Sequence, residues 1–283
     1  MNQPAPSTAS AGAPPARRRR LGRVAGLGAI AALALAGCTA GGGADGDGDA
    51  GPEESAVPTT TLTVYAAASL TDAFEALATQ FESVYPAIDV APIVADSSTV
   101  LATQIIEGAP ADVFATADEV SMTSVDGEGM LAAAPQVFAQ NAAVLAVPAG
   151  DPAGVVDLAG IARPEIRFIA CVPDAPCGRA AGELLTAAGL QVTPVSEEQN
   201  VTAVLTKLEL GEADAGVVYR SDVVRAGGAV QEIDTSAVPA VVNRYPIAPV
   251  GTAADPEVAD AFVRYVLGAE GQAVLAEFGF SAP

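Results

Sequence analysis

The sequence predicts an α/β protein, and three observations carry that expectation. From Thr61 onward, short strands rich in β-branched residues alternate with helices of 3.6-residue apolar period. Hydrophobic residues make up 51% of the 283-residue chain, ample for a packed core. Several strands run through small or hydroxyl residues directly into a helix, so helix N-termini recur at strand ends.

The first 60 residues stand apart from that pattern. Residues 1–37 read as a signal segment: Arg17 to Arg20 and Arg23, then an apolar run from Val24 to Gly37, too short for an ordinary membrane span. The run ends in Leu35-Ala36-Gly37-Cys38, which resembles the lipobox of bacterial lipoproteins, where the cysteine is lipidated and becomes the mature N-terminus. Residues 38–60 are rich in Gly, Asp, Glu, Pro and Thr without hydrophobic period, and are expected to form a disordered tether. Its reach is roughly 25 Å by random-coil scaling.

The folded part opens on Leu62-Thr63-Val64-Tyr65, an alternating strand. Ala66 to Ala68 follow, then Ser69 and a helix whose face is Leu70, Phe74, Leu77 and Phe81. Ser69 with Asp72 fits an N-cap and its capping-box partner. Ile93-Val94-Ala95 leads through Asp96-Ser97-Ser98-Thr99 into a helix carrying Leu101, Ile105 and Ile106, stopped by Gly108. Ala111 to Ala115 precedes a short helix with Glu119, Val120 and Met122, broken at Asp126 to Gly129. Gln136 to Val147 is extended, ending in the strand Val144–Val147. Arg167 to Ala170 leads through a loop to Cys177-Gly178 and a helix that stops near Gly189. Asn200-Val201 opens a helix with Val201, Val204, Leu205 and Leu208 on one face. Gly216 to Tyr219 is a strand, followed by a helix from Ser221. The strand Ile247–Val250, a helix from Asp255-Pro256 to about Leu267, and a last helix near Gln272 to Glu277 complete the chain.

A helix N-terminus offers free N–H groups and the positive end of the helix dipole, so such places attract anions. Taken alone, Ser69 reads as a cap and nothing more. Four helix starts and one tyrosine, however, form a set able to converge on one ligand. Composition narrows what else the chain can do. There is no histidine and no tryptophan, which removes histidine acid–base chemistry, a Ser-His-Asp triad and the common zinc sites. With the signal segment gone, 8 basic groups face 34 acidic ones, a net charge of −26. Nucleic acid is therefore not an expected partner. An anion is held only through local N–H and O–H donors.

Several runs together resemble the molybdate-binding proteins of bacterial ABC importers. They are Ala66-Ala67-Ala68-Ser69-Leu70-Thr71-Asp72, Ser97-Ser98-Thr99 and Glu107 to Phe114 (EGAPADVF), with Ala215 to Asp222 (AGVVYRSD) and Phe278-Gly279-Phe280. The resemblance covers roughly Thr61 to Phe280. It implies a two-lobed type II periplasmic-binding-protein fold, with a mixed β-sheet and flanking helices in each lobe and two crossover strands. Lobe 1 would be 61–138 plus 246–283, and lobe 2 would be 139–245. It implies a molybdate (also tungstate) ligand held by Ser69, Ser97 and Tyr219 through hydroxyls, and by Cys177 and Val201 through backbone N–H groups. Molybdenum enters only as that oxyanion, and no cofactor is expected. The implied partner is a molybdate ABC permease. The implied setting is extracytoplasmic, a monomer held at the cell membrane by lipid on Cys38.

Two features depart from the family pattern. Asp96 stands where a small or hydroxyl residue is usual, and a carboxylate beside an oxyanion costs affinity unless it points away. Cys171 and Cys177 frame a short loop. In an oxidising compartment, with Cys38 lipidated, these two are expected to form a disulfide worth about 2 kcal/mol. Alternatives are another tetrahedral oxyanion (phosphate or sulfate), an enzyme using Ser69 or Tyr219 as nucleophile, and a structural surface lipoprotein. Against the enzyme, the chain has no histidine, and its single lysine, Lys207, lies near neither residue in sequence.

Overall fold

A computed structural model describes residues 59–283. The signal segment, Cys38 and the tether up to residue 58 lie outside them. Of the expected tether, Thr60 already belongs to an element, because it opens a strand that pairs in parallel with Ile88. The strand expected over Leu62–Tyr65 is in fact two, β1 (Thr60–Leu62) and β2 (Val64–Ala67), parted at Thr63. The break has a local cause. Buried Asp112 accepts the Thr63 N–H at 2.7 Å with one carboxylate oxygen and the Ala254 N–H at 2.7 Å with the other. The Thr63 carbonyl accepts the N–H groups of Asp112 and Val113. Thr63 thus satisfies its backbone at Asp112, and β1 turns aside to pair elsewhere.

A 3-10 turn over Ala68–Leu70 leads into α1 (Thr71–Val84), which buries Phe74, Leu77 and Phe81 as the period requires. Then come β3 (Ile88–Val90), β4 (Val94–Asp96), α2 (Ser98–Ile106), β5 (Val113–Ala115) and α3 (Glu119–Gly127). The extended run is one long strand, β6 (Gln136–Pro148). Next are β7 (Phe168–Cys171), α4 (Pro176–Ala187), β8 (Ser196–Glu198), α5 (Val201–Glu209), β9 (Ala215–Tyr219), α6 (Arg220–Arg225) and β10 (Val230–Ile233). The chain closes with β11 (Val242–Pro249), α7 (Pro256–Leu267) and α8 (Ala269–Glu277). Asp255 caps α7 by accepting the N–H groups of Glu257 and Val258. Three strands escape a reading of periodicity: β3, β8 and β10. Each is three or four residues long and owes its extended state to one partner, β1, β7 and β6 respectively.

Nine strands form one mixed sheet in the order β4-β2-β5-β11-β6-β9-β7-β8, with β10 also on β6. Strands β4, β2 and β5 are parallel, as are β9, β7 and β8. The two parallel sets are joined through β11 and β6, which run antiparallel to each other and to their neighbours. Strand β6 pairs with β11 over its first seven residues, to Ala142, and with β9 and β10 beyond that point. Two large apolar cores follow. One holds Phe74, Phe81, Phe138, Tyr245 and Phe262; the other holds Val144 to Val147, Phe168, Leu184, Val204 and Tyr219. The Tyr219 and Tyr245 rings meet edge to face, 6.0 Å between centroids, where the cores adjoin.

Asp112 joins the β1–β2 break to the segment after β11, so Asp112→Ala leaves two backbone N–H groups without their acceptor. The expected loss is about 1–3 kcal/mol for each group that stays unsatisfied. Urea unfolding of the variant checks it, and a midpoint equal to that of the parent protein would contradict the assigned role.

Candidate functional site

Four helix starts and the end of β9 face one cavity. Its walls are Ala67 to Ser69, Asp96 to Ser98, Ala117, Pro176, Cys177, Asn200, Val201 and Tyr219. All five residues expected at the site, Ser69, Ser97, Cys177, Val201 and Tyr219, are among them. The cavity is small: atom-free space there, open mouth included, is about 200 Å³. Among the described residues lining it there is no Lys or Arg.

The residues reach the cavity by different routes. Ser69 lies in the 3-10 turn and caps nothing: the residue before α1 is Leu70, with no side-chain cap. The expected capping box with Asp72 is not formed, because the Ser69 hydroxyl is instead engaged with the Tyr245 hydroxyl at 3.0 Å. Ser97 is the residue before α2, and its side chain makes no cap bond either. Its N–H donates to Asp96 Oδ1 at 2.7 Å, the same oxygen that accepts the Asn200 side-chain amide at 2.8 Å. Asp96 therefore lines the cavity while its Oδ1 is turned to two donors of the wall.

Cys177 is in the first turn of α4, where the backbone N–H has no intrahelical acceptor. A disulfide joins Cys177 to Cys171, with Cα atoms 5.7 Å apart. Gly178 makes this turn possible, since a Cβ there would sit 2.0 Å from the Val172 carbonyl oxygen. Asn200 caps α5 by accepting the Ala203 N–H at 3.0 Å, which leaves the first-turn N–H of Val201 facing the cavity. Tyr219 closes β9 at 1% exposure, and its hydroxyl accepts from the Asn243 amide at 3.0 Å.

Three groups at the site carry no clear mark in the sequence. Asn141 donates to the hydroxyls of Ser221 (2.8 Å) and Tyr245 (3.3 Å). Asn243 donates to the Ala117 carbonyl at 2.8 Å as well as to Tyr219. Tyr245 and Asn141 are buried at 0% and 2% exposure. The signal that could have found Asn141 is the amide pair Gln140-Asn141 in the middle of a largely apolar strand. Asn243 and Tyr245 belong to β11, whose first half reads as a lead-in rather than a strand.

The cavity wall is also cross-tied. Thr99 donates to the Asp174 carbonyl at 2.7 Å, and the Arg179 guanidinium bridges Asp118, the Asp174 carbonyl and Ser121. Burial pushes the Tyr219 and Tyr245 hydroxyls well above the ordinary tyrosine range, so both keep their protons. The arrangement offers O–H and N–H donors to a small ligand that carries acceptors.

The chain matches the family described as bacterial extracellular solute-binding protein over residues 62–281. It belongs to that family. A molybdate-binding protein, ModA, of Mycobacterium tuberculosis is 39% identical over 257 residues, 90% of this chain and 97% of the relative. A putative ABC transporter substrate-binding lipoprotein, YvgL, of Bacillus subtilis is 29% identical over 228 residues, 78% of this chain and 86% of the relative. The fold is shared with the periplasmic molybdate-binding protein of Azotobacter vinelandii at a TM-score of 0.67, with 24% identity over 78% of this chain and 99% of that one. The chain is thus a solute-binding protein of periplasmic-binding-protein fold and not an enzyme. Members of its family work outside the cytoplasm. Among the described residues, no helix is long and apolar enough to cross a membrane.

Directly behind the cavity, fully buried Asp222 accepts the Tyr219 N–H at 2.9 Å and pairs with Arg225 at 3.0 Å. Burial pushes its carboxyl up to about 6, against the opposing pull of Arg225 and the Tyr219 N–H. The folded state therefore holds this proton more tightly than the unfolded chain, whose aspartate titrates near about 4. The stability Asp222 contributes is full below about pH 4 and is lost as pH rises through about 6. Asp222→Asn is expected to flatten the pH dependence of urea unfolding in that window. An unchanged slope would show that the carboxyl titrates alike in both states.

Proposed function

We propose that the chain captures molybdate, and tungstate with it, in the cavity between Ser69, Ser97, Cys177, Val201 and Tyr219, and delivers it to an ABC permease. One observation carries the reading: the five donors line a single small cavity without a Lys or Arg in its wall. A tetrahedral dianion has only acceptors, so a shell of N–H and O–H donors satisfies it, and each buried donor is satisfied in return. The 39% identical relative named for molybdate binding supports the same ligand. Donors alone do not separate molybdate and tungstate from sulfate, since all three are fully deprotonated near neutral pH. Cavity size has to do so, through the longer metal–oxygen bonds. No cofactor is needed for capture, and a single chain forms the whole cavity, which fits a monomer.

A second reading rests on Asp96. Its carboxylate is part of the wall, and hydrogen phosphate has a proton to give to such an acceptor. With Asp96 Oδ1 already holding the Ser97 and Asn200 donors, the molybdate reading has the stronger support.

Calorimetric titration with molybdate, tungstate, sulfate and phosphate tests the assignment. Molybdate and tungstate are expected to bind most tightly. Tyr219→Phe removes one hydroxyl and little volume, and is expected to cost about 1.5–3 kcal/mol, the range for a hydrogen bond to a charged group, or roughly tenfold or more in affinity. Cys177→Ala and Val201→Ala are expected to cost less, because the backbone donors remain. Phosphate as the best ligand, lost in Asp96→Asn, would replace molybdate by a protonated oxyanion.

The anchoring part of the proposal rests on Leu35 to Cys38 and the B. subtilis lipoprotein relative. Cys38→Ser is expected to release the protein from the membrane fraction or leave its precursor uncleaved. Normal processing and membrane retention of that variant would rule out the anchor.

A further inference from the structure

We propose that two side-chain amides, those of half-buried Asn243 and buried Asn141, are positioning residues that fix the direction of the Tyr219 and Ser69 hydroxyl protons, so that both point into the cavity as donors before any ligand arrives. The inference rests on the oxyanion reading above and concerns how the site selects a ligand that has acceptors only.

The argument begins with the amides, because an amide nitrogen donates and cannot accept. Asn243 has its nitrogen 2.8 Å from the Ala117 carbonyl oxygen, which can only accept. Turning the amide over would place oxygen against oxygen, so the nitrogen is held on that side. Its second hydrogen then goes to the Tyr219 hydroxyl at 3.0 Å. The phenol oxygen receives, and its own proton is left for the cavity that Tyr219 lines.

Asn141 is fixed in the same manner. Its oxygen accepts the Ser221 N–H at 3.4 Å, and a turned amide would set donor against donor. The nitrogen therefore donates to Ser221 Oγ at 2.8 Å and to the Tyr245 hydroxyl at 3.3 Å. Tyr245, receiving from Asn141, passes its own proton to Ser69 Oγ at 3.0 Å. Ser69 receives in turn, and its proton is left for the cavity. Both relays start at an amide held by a backbone group and end on a hydroxyl of the wall. Burial keeps the two phenols protonated, so neither relay is interrupted by loss of a proton.

The consequence is electrostatic preorganisation. A free hydroxyl rotates and is donor or acceptor as the ligand requires; these two are committed. Dipoles already aimed at the ligand need no reorganisation on binding, and successive hydrogen bonds strengthen one another. Asn141 and Asn243 stand in register across β6 and β11, so one strand pair supplies both relays.

Double-mutant cycles with molybdate read this directly. Asn243→Leu is expected to lower affinity about three- to tenfold in the parent protein, the effect of losing one net hydrogen bond. In the Tyr219→Phe background the same change is expected to have less than about a twofold effect, because there is no hydroxyl left to direct. Tyr245→Phe and Ser69→Ala are expected to show the same non-additivity as a second pair. Thermal unfolding without ligand accompanies each variant and separates a loss of fold from a loss of direction. A general structural role predicts equal losses in both backgrounds, so additive effects, or an Asn243→Leu protein that binds as tightly as the parent, would overturn the proposal alone. A parent protein that binds none of the four oxyanions would overturn the functional reading and this proposal together.

Discussion

Where β6 pairs with β11, Asn141 lies opposite Asn243, and the cavity takes its shape and polarity from that register. Shifting β11 by one residue against β6 would turn Asn243 and Tyr245 to the other face of the sheet. Tyr219 would then lose its donor, and Tyr245 would lose the amide that directs it toward Ser69. The same pair of strands joins the two parallel sets of the sheet, so the place where the cores adjoin is also where the polar network is buried. Polar groups sit there at little cost because each has a partner: Asn141 bonds Ser221 and Tyr245, Tyr245 bonds Ser69, and Asn243 bonds Tyr219.

A strongly acidic chain holding an anion poses an electrostatic problem, and the local geometry answers it. The wall contributes dipoles rather than charges: first-turn N–H groups of α4 and α5 and committed hydroxyls. Such dipoles act at short range and are insensitive to the net charge outside. Arg179 and Arg225, the cations close behind the wall, are spent on Asp118 and Asp222. They stiffen the surroundings of the site and leave the contacts to neutral donors. Asp96 belongs to the same economy, since its Oδ1 holds the Ser97 N–H and ties Asn200, the cap of α5, across the cavity.

The loop between Cys171 and Cys177 shows how a departure from the family pattern is absorbed. The disulfide closes a short loop against the start of α4, and Gly178 lets that turn approach the Val172 carbonyl. Asp174, inside the loop, offers its carbonyl to Thr99 and Arg179. The segment between the two cysteines is thereby one of the ties across the cavity.

By itself the sequence determined the α/β class, the amphipathic helices and the four helix starts and one strand end that face the cavity, because those signals are local: periods of 3.6 and 2, small residues at strand ends, a polar residue before an apolar run. It misjudged Ser69 as a cap, since Ser-x-x-Asp spacing does not reveal that a tyrosine 176 positions away captures the hydroxyl. It ran β1 and β2 together because Asp112, the residue that parts them, acts across 49 positions. It passed over β3, β8 and β10, whose extended state comes from their partners, and over the first half of β11. Only the tertiary structure decided which donors are free and which are spent. The direction of a hydroxyl proton depends on what stands behind it, and the residues behind Ser69 and Tyr219 come from β6 and β11, far away in the chain and adjacent only once the sheet has formed.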